Sequence, residues 1–178
     1  MDLRVEKVTS RLPEYARVCA LLRSAFPAAE QISPWLLRLL ARKKGNRFLA
    51  FYDGDTFCGS AYTVENEKYI FLLYIAVPEE LRSKGCGSRI LERLRQGEER
   101  ILVLNAEALD PAAANAEQRE KRVRFYRKNG ITDTGFRFRD GEVTYSVLAS
   151  DPKRLNVQEY AALVKRFSFG TYRMKMEK

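Results

Sequence analysis

One segment of the sequence constrains the fold more than any other. Residues 69–77 form an apolar run rich in β-branched and aromatic side chains, and Pro78 ends it. A polar loop with glycines follows, and residues 86–94 have the apolar spacing of a helix. This order of strand, glycine loop and helix creates an anion site, because the first helical N–H groups lack internal partners and the helix dipole attracts negative charge. A group with two linked phosphates would fit such a loop.

Composition limits the class of protein and the chemistry available to it. The 178 residues are 46% hydrophobic, which suits one domain with a sizeable core, and no apolar run approaches the length of a membrane span. Cys19, Cys58 and Cys86 are odd in number and widely spaced, which favours free thiols in the cytoplasm over disulfides or a zinc site. The chain has no histidine. Any general base must therefore be a carboxylate, a tyrosine, the N-terminus or water.

The formal charge of +9 indicates either a polyanionic partner or solvated basic surfaces. Basic residues cluster at 38–47 and at 119–128. Both clusters fall on predicted helices, where one face is normally solvated, so we favour solvated surfaces over nucleic-acid binding. The sequence also lacks aromatic residues interleaved with glycine, a pattern typical of single-strand binding.

The order of predicted elements indicates an α/β (mixed α+β) fold. Strands and helices follow one another as β-α-α-β-β-β-α-β-α-β-β-α, which predicts one mixed, mostly antiparallel and twisted sheet of about seven strands with helices on both faces. The second helix is expected at 34–44, a strand at 101–106, a charged helix at about 117–129, a strand at 136–139 and a last helix at 157–167. We expect residues 1–150 to form one domain, with the C-terminal helix and basic tail at 151–178 packed on it.

Several motifs together resemble the GNAT superfamily of acetyl-CoA-dependent N-acetyltransferases. These are the pattern Arg82-x-x-Gly85-x-Gly87 between a strand and a helix, a further strand, and a helix that carries Phe125-Tyr126 and ends at Gly130. The resemblance spans about 3–148 and is strongest between 69 and 131. A bacterial subgroup of the family shares three further features, which are Phe26-Pro27-x-x-Glu30, Gln118-Arg119-x-x-Arg122 and a glutamate that ends the fifth strand.

The resemblance implies that acetyl-CoA is the cofactor and shows which backbone would hold it. The strand end would pair with the pantetheine amides through a bulge and hold the thioester carbonyl. The amides from Ser83 to Ser88 would wrap the pyrophosphate, with added charge from Arg82 and Lys84. The implied cofactor-binding residues are Ile75, Ala76, Val77, Arg82, Ser83, Lys84, Gly85, Cys86, Gly87 and Ser88.

The resemblance also implies catalytic roles for two residues, each with a structural alternative. Tyr126 would protonate the departing thiolate of CoA, or it is an ordinary core residue near a helix end. Glu107 would accept the proton of the amine, or it is a strand-end carboxylate that caps the next segment.

The remaining candidates concern acceptor binding and charge. Glu30 would bind a cationic amine, or it caps the helix that begins near Pro34. We expect Arg119 and Arg122 to be solvated, with binding of an acidic group as the alternative. Cys86 lies at a helix N-terminus, where a lowered pKa would suit a nucleophile, but we expect it to be a small apolar filler.

The expected function is that of a cytoplasmic N-acetyltransferase, a monomer or homodimer, without membrane association. It would transfer acetyl from acetyl-CoA to a small-molecule amine or a protein amino group by direct attack in a ternary complex. Two alternatives remain open. A non-catalytic acyl-CoA-binding module is one, because the position near Phe71 lacks the carboxylate that some family members use as a base. A basic nucleic-acid-binding protein is the other.

Overall fold

The computed structural model describes residues 2–168 and 174–177. Within these residues there are five α-helices: α1 (Tyr15–Ala25), α2 (Pro34–Leu40), α3 (Cys86–Arg95), α4 (Ala116–Lys128) and α5 (Val157–Phe167). The strands are β1 (Arg4–Lys7), β2 (Asn46–Asp53), β3 (Thr56–Glu65), β4 (Tyr69–Ala76), β5 (Ile101–Glu107), β6 (Thr132–Asp140), β7 (Val143–Ala149) and β8 (Met176–Glu177). Short 3₁₀ turns cover Ala28–Glu30 and Glu79–Leu81.

The strands form one sheet in the order β1-β2-β3-β4-β5-β7-β6-β8. Strands β4 and β5 pair in parallel, with Tyr69 opposite Ile101. Strand β2 pairs antiparallel with β1, β5 with β7, and β6 with both β7 and β8. The predicted mixed, mostly antiparallel fold is therefore confirmed. The eighth strand is only two residues long and lies in the segment predicted to be a tail.

Two predicted boundaries were wrong, and each has a local cause. Helix α2 ends at Leu40 instead of residue 44, because the Asn46 side chain donates to the Leu40 carbonyl at 3.0 Å and Gly45 has a positive φ of 88°. Strand β6 begins at Thr132, four residues before the predicted start at 136. A register shift near Gly135, whose φ is 83°, interrupts the pairing there.

The chain divides into two compact units. The first contains Met1–Thr63 and Leu73–Glu98, and the second contains Val64–Leu72 and Glu99–Lys178. In the first unit, α1, α2 and α3 each bury an apolar face, while the β2 strand contributes Phe48 to Tyr52 to the core. An ion pair of 2.6 Å between Arg89 of α3 and Asp53 of β2 fixes this helix to the end of a strand.

In the second unit, α5 is fixed to the sheet by two buried tyrosines. Tyr69 donates to the Glu159 carboxylate at 3.1 Å and accepts from the Asn156 N–H at 3.1 Å. Tyr160 donates to the Asn105 side chain of β5 at 2.9 Å. Residues 169–173 and 178 of the predicted basic tail lie outside the described residues. No helix in the described part of the chain combines the length and the apolar character needed to cross a bilayer.

Gly59 in β3 allows a close backbone approach next to the end of β4. A Cβ atom at this position would lie 2.3 Å from the Ala76 carbonyl oxygen and 3.0 Å from Cδ1 of Ile90. Its φ of 149° also disfavours any other residue. The chain therefore needs glycine where β3, the end of β4 and α3 meet in the first unit.

We expect Gly59→Ala to lower the free energy of unfolding by about 2 kcal/mol or more, through backbone strain and overpacking against the Ala76 carbonyl. Denaturant unfolding measures this loss. Gly141→Ala is the matched control, because Gly141 also has a positive φ of 58° but nothing lies within 4 Å of its added Cβ. Equal losses in the two variants would show that the close approach is unimportant.

Candidate active site

The loop after β4 presents backbone N–H groups that have no acceptor inside the protein. The N–H of Arg82 donates to the Glu79 carbonyl at 3.1 Å, and that of Lys84 donates to the Leu81 carbonyl at 3.4 Å. Within the described residues, the remaining N–H groups of the loop and first helical turn have no intramolecular acceptor: those of Ser83, Gly85, Cys86, Gly87 and Ser88. Lys84 is thus the one member of the predicted amide series whose N–H is already paired.

Two positive φ angles shape this loop. Ser83 has φ of 62°, the one positive value for a non-glycine residue in the described chain, and Gly85 has φ of 84° at the N-cap of α3. Successive N–H groups in such a conformation turn toward one concave side and bind anions. A Cβ at Gly85 would meet nothing within 4 Å, so the space beside it is open. A serine with a positive φ carries backbone strain, a feature that is frequent at functional sites.

The charged residues of this loop suit an anion. Arg82 and Lys84 are exposed, while Cys86 is buried as the first residue of α3. The Cys86 side chain therefore lies on the protein side of the loop, as expected for a small apolar filler. The ion pair between Asp53 and Arg89 holds α3 in place, and the hydrogen bond from Arg89 lowers the pKa of the Asp53 carboxyl.

Strand β4 also fixes the segment that carries Glu30. The Tyr74 hydroxyl donates to the Glu30 carbonyl and accepts from the Ile32 N–H at 3.1 Å, and burial raises the pKa of this tyrosine. The Phe26 ring packs edge-on against Tyr74 at 4.7 Å. The Gln31 side chain closes the segment by donating to the Phe26 carbonyl at 2.6 Å. The backbone of residues 26–32 is therefore anchored to the strand that leads into the anion loop.

In the second unit, Glu107 is the centre of a cluster of polar side chains. Its side chain is 12% exposed, and it is paired with Arg119 at 3.0 Å and with Arg122 at 3.2 Å. The Asn115 amide donates to both carboxylate oxygens, at 3.2 and 3.1 Å. Asn115 directly precedes α4, and its own oxygen accepts from Arg119 at 2.7 Å. Glu107 therefore binds the start of the next helix, as the structural alternative for this residue predicts.

The expectation that Arg119 and Arg122 are solvated is wrong for Arg119. Its side chain is 13% exposed, and it also donates to the Ala108 carbonyl at 2.9 Å. Arg122 is 37% exposed and retains contact with solvent. The helical spacing placed both arginines on one face, but it did not show that a carboxylate at the end of β5 faces them.

Tyr126 is buried in α4, one turn beyond Arg122. Burial raises its pKa to about 12, an effect that the positive charge of Arg122 opposes. The hydroxyl is therefore protonated at any physiological pH, which is the state required of an acid. Its ring packs against Phe125 with centroids 5.3 Å apart. The cluster centred on Glu107 positions α4, and through it the tyrosine.

The structure distributes the predicted site residues between the two units. Ile75 to Ser88 and Glu30 lie in the first unit, whereas Glu107 and Tyr126 lie in the second. Sequence reasoning missed Gly59, Tyr74 and Asn115. A glycine inside a strand does indicate close approach, so Gly59 had a usable signal. Tyr74 gave no such signal because it contacts a segment distant in the sequence. Asn115 gave none because an asparagine before a helix is an ordinary residue there.

A fold with an amide-lined loop between a strand and a helix defines a class of α/β proteins that bind anionic cofactors. Residues 44–130 match the family model described as an acetyltransferase (GNAT) domain. These residues therefore form an acetyltransferase (GNAT) domain, in agreement with the resemblance inferred from the motifs of the sequence. No curated protein matches the sequence.

Solved structures share this fold at low sequence identity. A protein assigned to the GNAT acetyltransferases of Bacteroides thetaiotaomicron is 21% identical with a TM-score of 0.74, covering 95% of this chain and 99% of its own. An aminoglycoside 6'-N-acetyltransferase complexed with coenzyme A is 15% identical with a TM-score of 0.63, covering 86% and 99%. The ribosomal-protein-S18-alanine N-acetyltransferase of Escherichia coli is 16% identical with a TM-score of 0.55, covering 83% and 92%.

We expect Tyr74→Phe to loosen the segment that carries Glu30, because the Ile32 N–H loses its acceptor. Amide hydrogen exchange at Ile32 should accelerate, and the free energy of unfolding should fall by about 1 kcal/mol. Tyr69→Phe is the control, since it removes the acceptor of the Asn156 N–H instead. Exchange should then accelerate at Asn156 but not at Ile32. Unchanged exchange at Ile32 in Tyr74→Phe would contradict the anchoring role.

Proposed function

We propose that this protein transfers an acetyl group from acetyl-CoA to a primary amine, by direct attack in a ternary complex in the cytoplasm. The observation that carries the proposal is the set of five unpaired N–H groups between Ser83 and Ser88, at the start of α3. The GNAT domain at 44–130 supports acetyl transfer in general. A related structure complexed with coenzyme A supports this cofactor for the same fold.

The residues of the first unit fit coenzyme A. The loop N–H groups would hold the two linked phosphates, and the exposed Arg82 and Lys84 would add positive charge. The backbone of Ile75 to Val77 would pair with the pantetheine amides and donate to the carbonyl oxygen as negative charge develops on it. When bound, acetyl-CoA supplies a thioester activated toward amines. The residues of the chain would mainly align the reactants, an effect worth ~7–11 kcal/mol in favourable cases.

Tyr126 is our candidate for the acid. With a pKa of about 12 its Oη atom keeps its proton throughout the physiological range and can donate it toward a leaving thiolate. Its burial supports the role as well, because a hydrogen bond in a water-poor site is stronger than one at the surface. The ordinary core interpretation of Tyr126 predicts the same burial, and only kinetics separates the two.

Glu107 is our candidate for the base, although its contacts favour a positioning role. Both carboxylate oxygens are occupied by Arg119, Arg122 and Asn115. Uptake of a proton by Glu107 would weaken two ion pairs, so proton transfer there carries an electrostatic cost. A positioning role needs no such step, because the ionised carboxylate holds the start of α4. Water is then the acceptor of the amine proton.

The acceptor in this proposal is a small amine or a protein amino group. The two kinds are represented among proteins of similar fold, by an aminoglycoside acetyltransferase and by an enzyme named for a ribosomal protein alanine. Glu30 is the candidate contact for a cationic amine, on a segment whose backbone is fixed to Tyr74. A panel of aminoglycosides, polyamines and peptides, scored for release of free CoA, tests the acceptor class.

Calorimetric titration with acetyl-CoA tests the cofactor site directly. Binding that weakens in Arg82→Ala supports the loop assignment. No heat at millimolar ligand would overturn the proposal. Binding without CoA release across the whole panel would favour a non-catalytic acyl-CoA-binding module. Phe71 makes this second function worth testing, since an apolar ring packed on Tyr160 lies where some family members carry a base.

For Tyr126→Phe we expect kcat to fall about 10²-fold with little change in the Kd for acetyl-CoA, because a general acid is lost and no binding contact is removed. In the parent enzyme, Tyr126 loses its proton only as pH rises through its pKa of about 12. Its deprotonation should therefore produce no alkaline decline of kcat between about pH 7 and 10. Stopped assays of thiol release across this range measure both effects.

Tyr52→Phe is the control for Tyr126→Phe, because burial also raises the pKa of Tyr52 to about 12 and its hydroxyl donates to Glu14. This variant should be less stable yet keep its kcat. A kcat in Tyr126→Phe equal to that of the parent would assign Tyr126 to the core.

Glu107→Gln and Arg119→Met separate the two roles of Glu107. A positioning role predicts that both variants lose similar stability, about 3–5 kcal/mol for a broken buried pair, and lose kcat to a similar degree. A base role predicts an additional loss of about 10²- to 10⁴-fold in kcat for Glu107→Gln alone. Thermal unfolding and kcat measurements on the two variants decide between these outcomes.

A further inference from the structure

The first unit contains an open groove that shares no lining residue with the proposed acetyl-transfer site. It encloses about 980 Å³ and lies between the end of β1 and the segment from α2 to the start of β2. Its polar lining residues include Thr9, Ser10 and Asn46. Six lining residues are basic: Lys7, Arg38, Arg42, Lys43, Lys44 and Arg47. No lining residue of the groove is acidic.

Helix α2 turns a mixed aromatic and basic stripe toward this groove. Leu37 and Leu40 are buried and anchor the opposite face of the helix. The stripe consists of Trp35, Arg38 and Leu39, at the i, i+3 and i+4 spacing that defines one face. Trp35 is 59% exposed and Leu39 is 49% exposed. A tryptophan that contributes so little to the core, set among cations, is available to stack on a flat ligand.

We propose that this groove binds single-stranded nucleic acid. Positively charged grooves that carry an exposed aromatic side chain bind such strands, because the cations follow the phosphates and the ring stacks on a base. Arg38 comes from α2, Arg42 and Lys44 come from the segment that follows it, and Lys7 comes from the end of β1. A strand in the groove would thus meet cations from several segments around one stacking surface.

The shape of the surface favours a strand over an acidic protein. A stable protein interface needs a broad apolar core, whereas the exposed apolar surface here is limited to Trp35 and Leu39. The volume of about 980 Å³ lies at the upper end of the range for small-molecule sites, so the groove has room for a ligand larger than a typical small molecule. The formal charge of +9 would also steer a polyanion toward the protein.

This inference revises the expectation drawn from the sequence for the 38–47 cluster. Solvated charge was favoured because the cluster falls on a predicted helix and because the sequence lacks aromatic residues interleaved with glycine. The structure places Trp35 in the same groove and exposes it. In the second basic cluster, part of the charge is used internally by the contact between Arg119 and Glu107.

The fluorescence of Trp35 provides a direct test, because it is the one tryptophan of the chain. We expect oligo(U) and oligo(dT) of about eight nucleotides to quench its emission and to bind with an affinity that falls steeply between about 50 and 200 mM salt. Fluorescence anisotropy of labelled strands gives the Kd. Tighter binding of RNA supports contacts from Thr9, Ser10 or Asn46 to the 2′-hydroxyl. Equal binding supports recognition through phosphates and stacking.

Two variants and a matched control locate the site. We expect Trp35→Ala to weaken binding on the order of tenfold by removing the stacking surface. Arg42→Glu with Lys44→Glu should weaken binding more and should reduce the slope of log Kd against log salt by about 1 to 2. Arg124→Glu with Lys153→Glu changes the net charge equally on exposed residues of the second unit and should alter the Kd less than threefold. Thermal unfolding of each variant verifies its fold.

Four results would overturn the proposal. One is the absence of binding to both strands at low salt, and another is an equal loss of affinity in the charge-reversed control. The third is displacement of the strand by excess coenzyme A, which would place the strand on the loop at 82–88 instead. If polyglutamate quenches Trp35 more strongly than either strand, the groove binds an acidic protein, and the nucleic-acid proposal is also rejected.

Discussion

The central constraint on the first unit is a set of N–H groups at the start of α3 that have no partner among the described residues. An unpaired backbone donor is tolerated where an anion or solvent can reach it, and a glycine with positive φ creates such a place at the N-terminus of a helix. Gly85 supplies that angle, and Ser83 takes a second one at a cost in strain. Helix α3 is held in place by its buried apolar face and by the ion pair of Arg89 with Asp53. Rigid support under an open loop is what binding of a phosphate group requires.

In the second unit, the main constraint is helix α4, whose surface is mostly charged and which must still be held against the sheet. Helix α4 buries Tyr126 but few other apolar side chains, so hydrophobic packing alone holds it weakly. The cluster of Glu107, Asn115 and Arg119 compensates at its N-terminal end. Because the carboxylate lies at the end of β5, the position of the helix is set by the register of the sheet. A tyrosine three turns along such a helix is placed with little freedom.

The sequence predicted most of the fold, and physical reasons explain the parts that it did not predict. Elements with strong periodicity or clear end signals, such as β4 and α5, were placed within a residue or two. The end of α2 was missed because the pattern of apolar residues cannot show that Asn46 folds back on Leu40. The anion loop was evident because glycine spacing is local, whereas the contacts of Glu107 depend on residues 8 to 15 positions away. A local motif can be recognised in a sequence, but pairing between side chains that are distant in the sequence cannot.

If Glu30 contacts the acceptor as proposed, the attachment of residues 26–32 to Tyr74 has a consequence for how acceptor preference can change. The tyrosine holds this segment by the carbonyl of Glu30 and the N–H of Ile32, which are main-chain groups present whatever the side chains are. Replacements on the outer surface of the segment can therefore accumulate without releasing it from the strand. The side chains of the segment can therefore change by drift or selection, and the acceptor with them, while the backbone of the segment keeps its conformation.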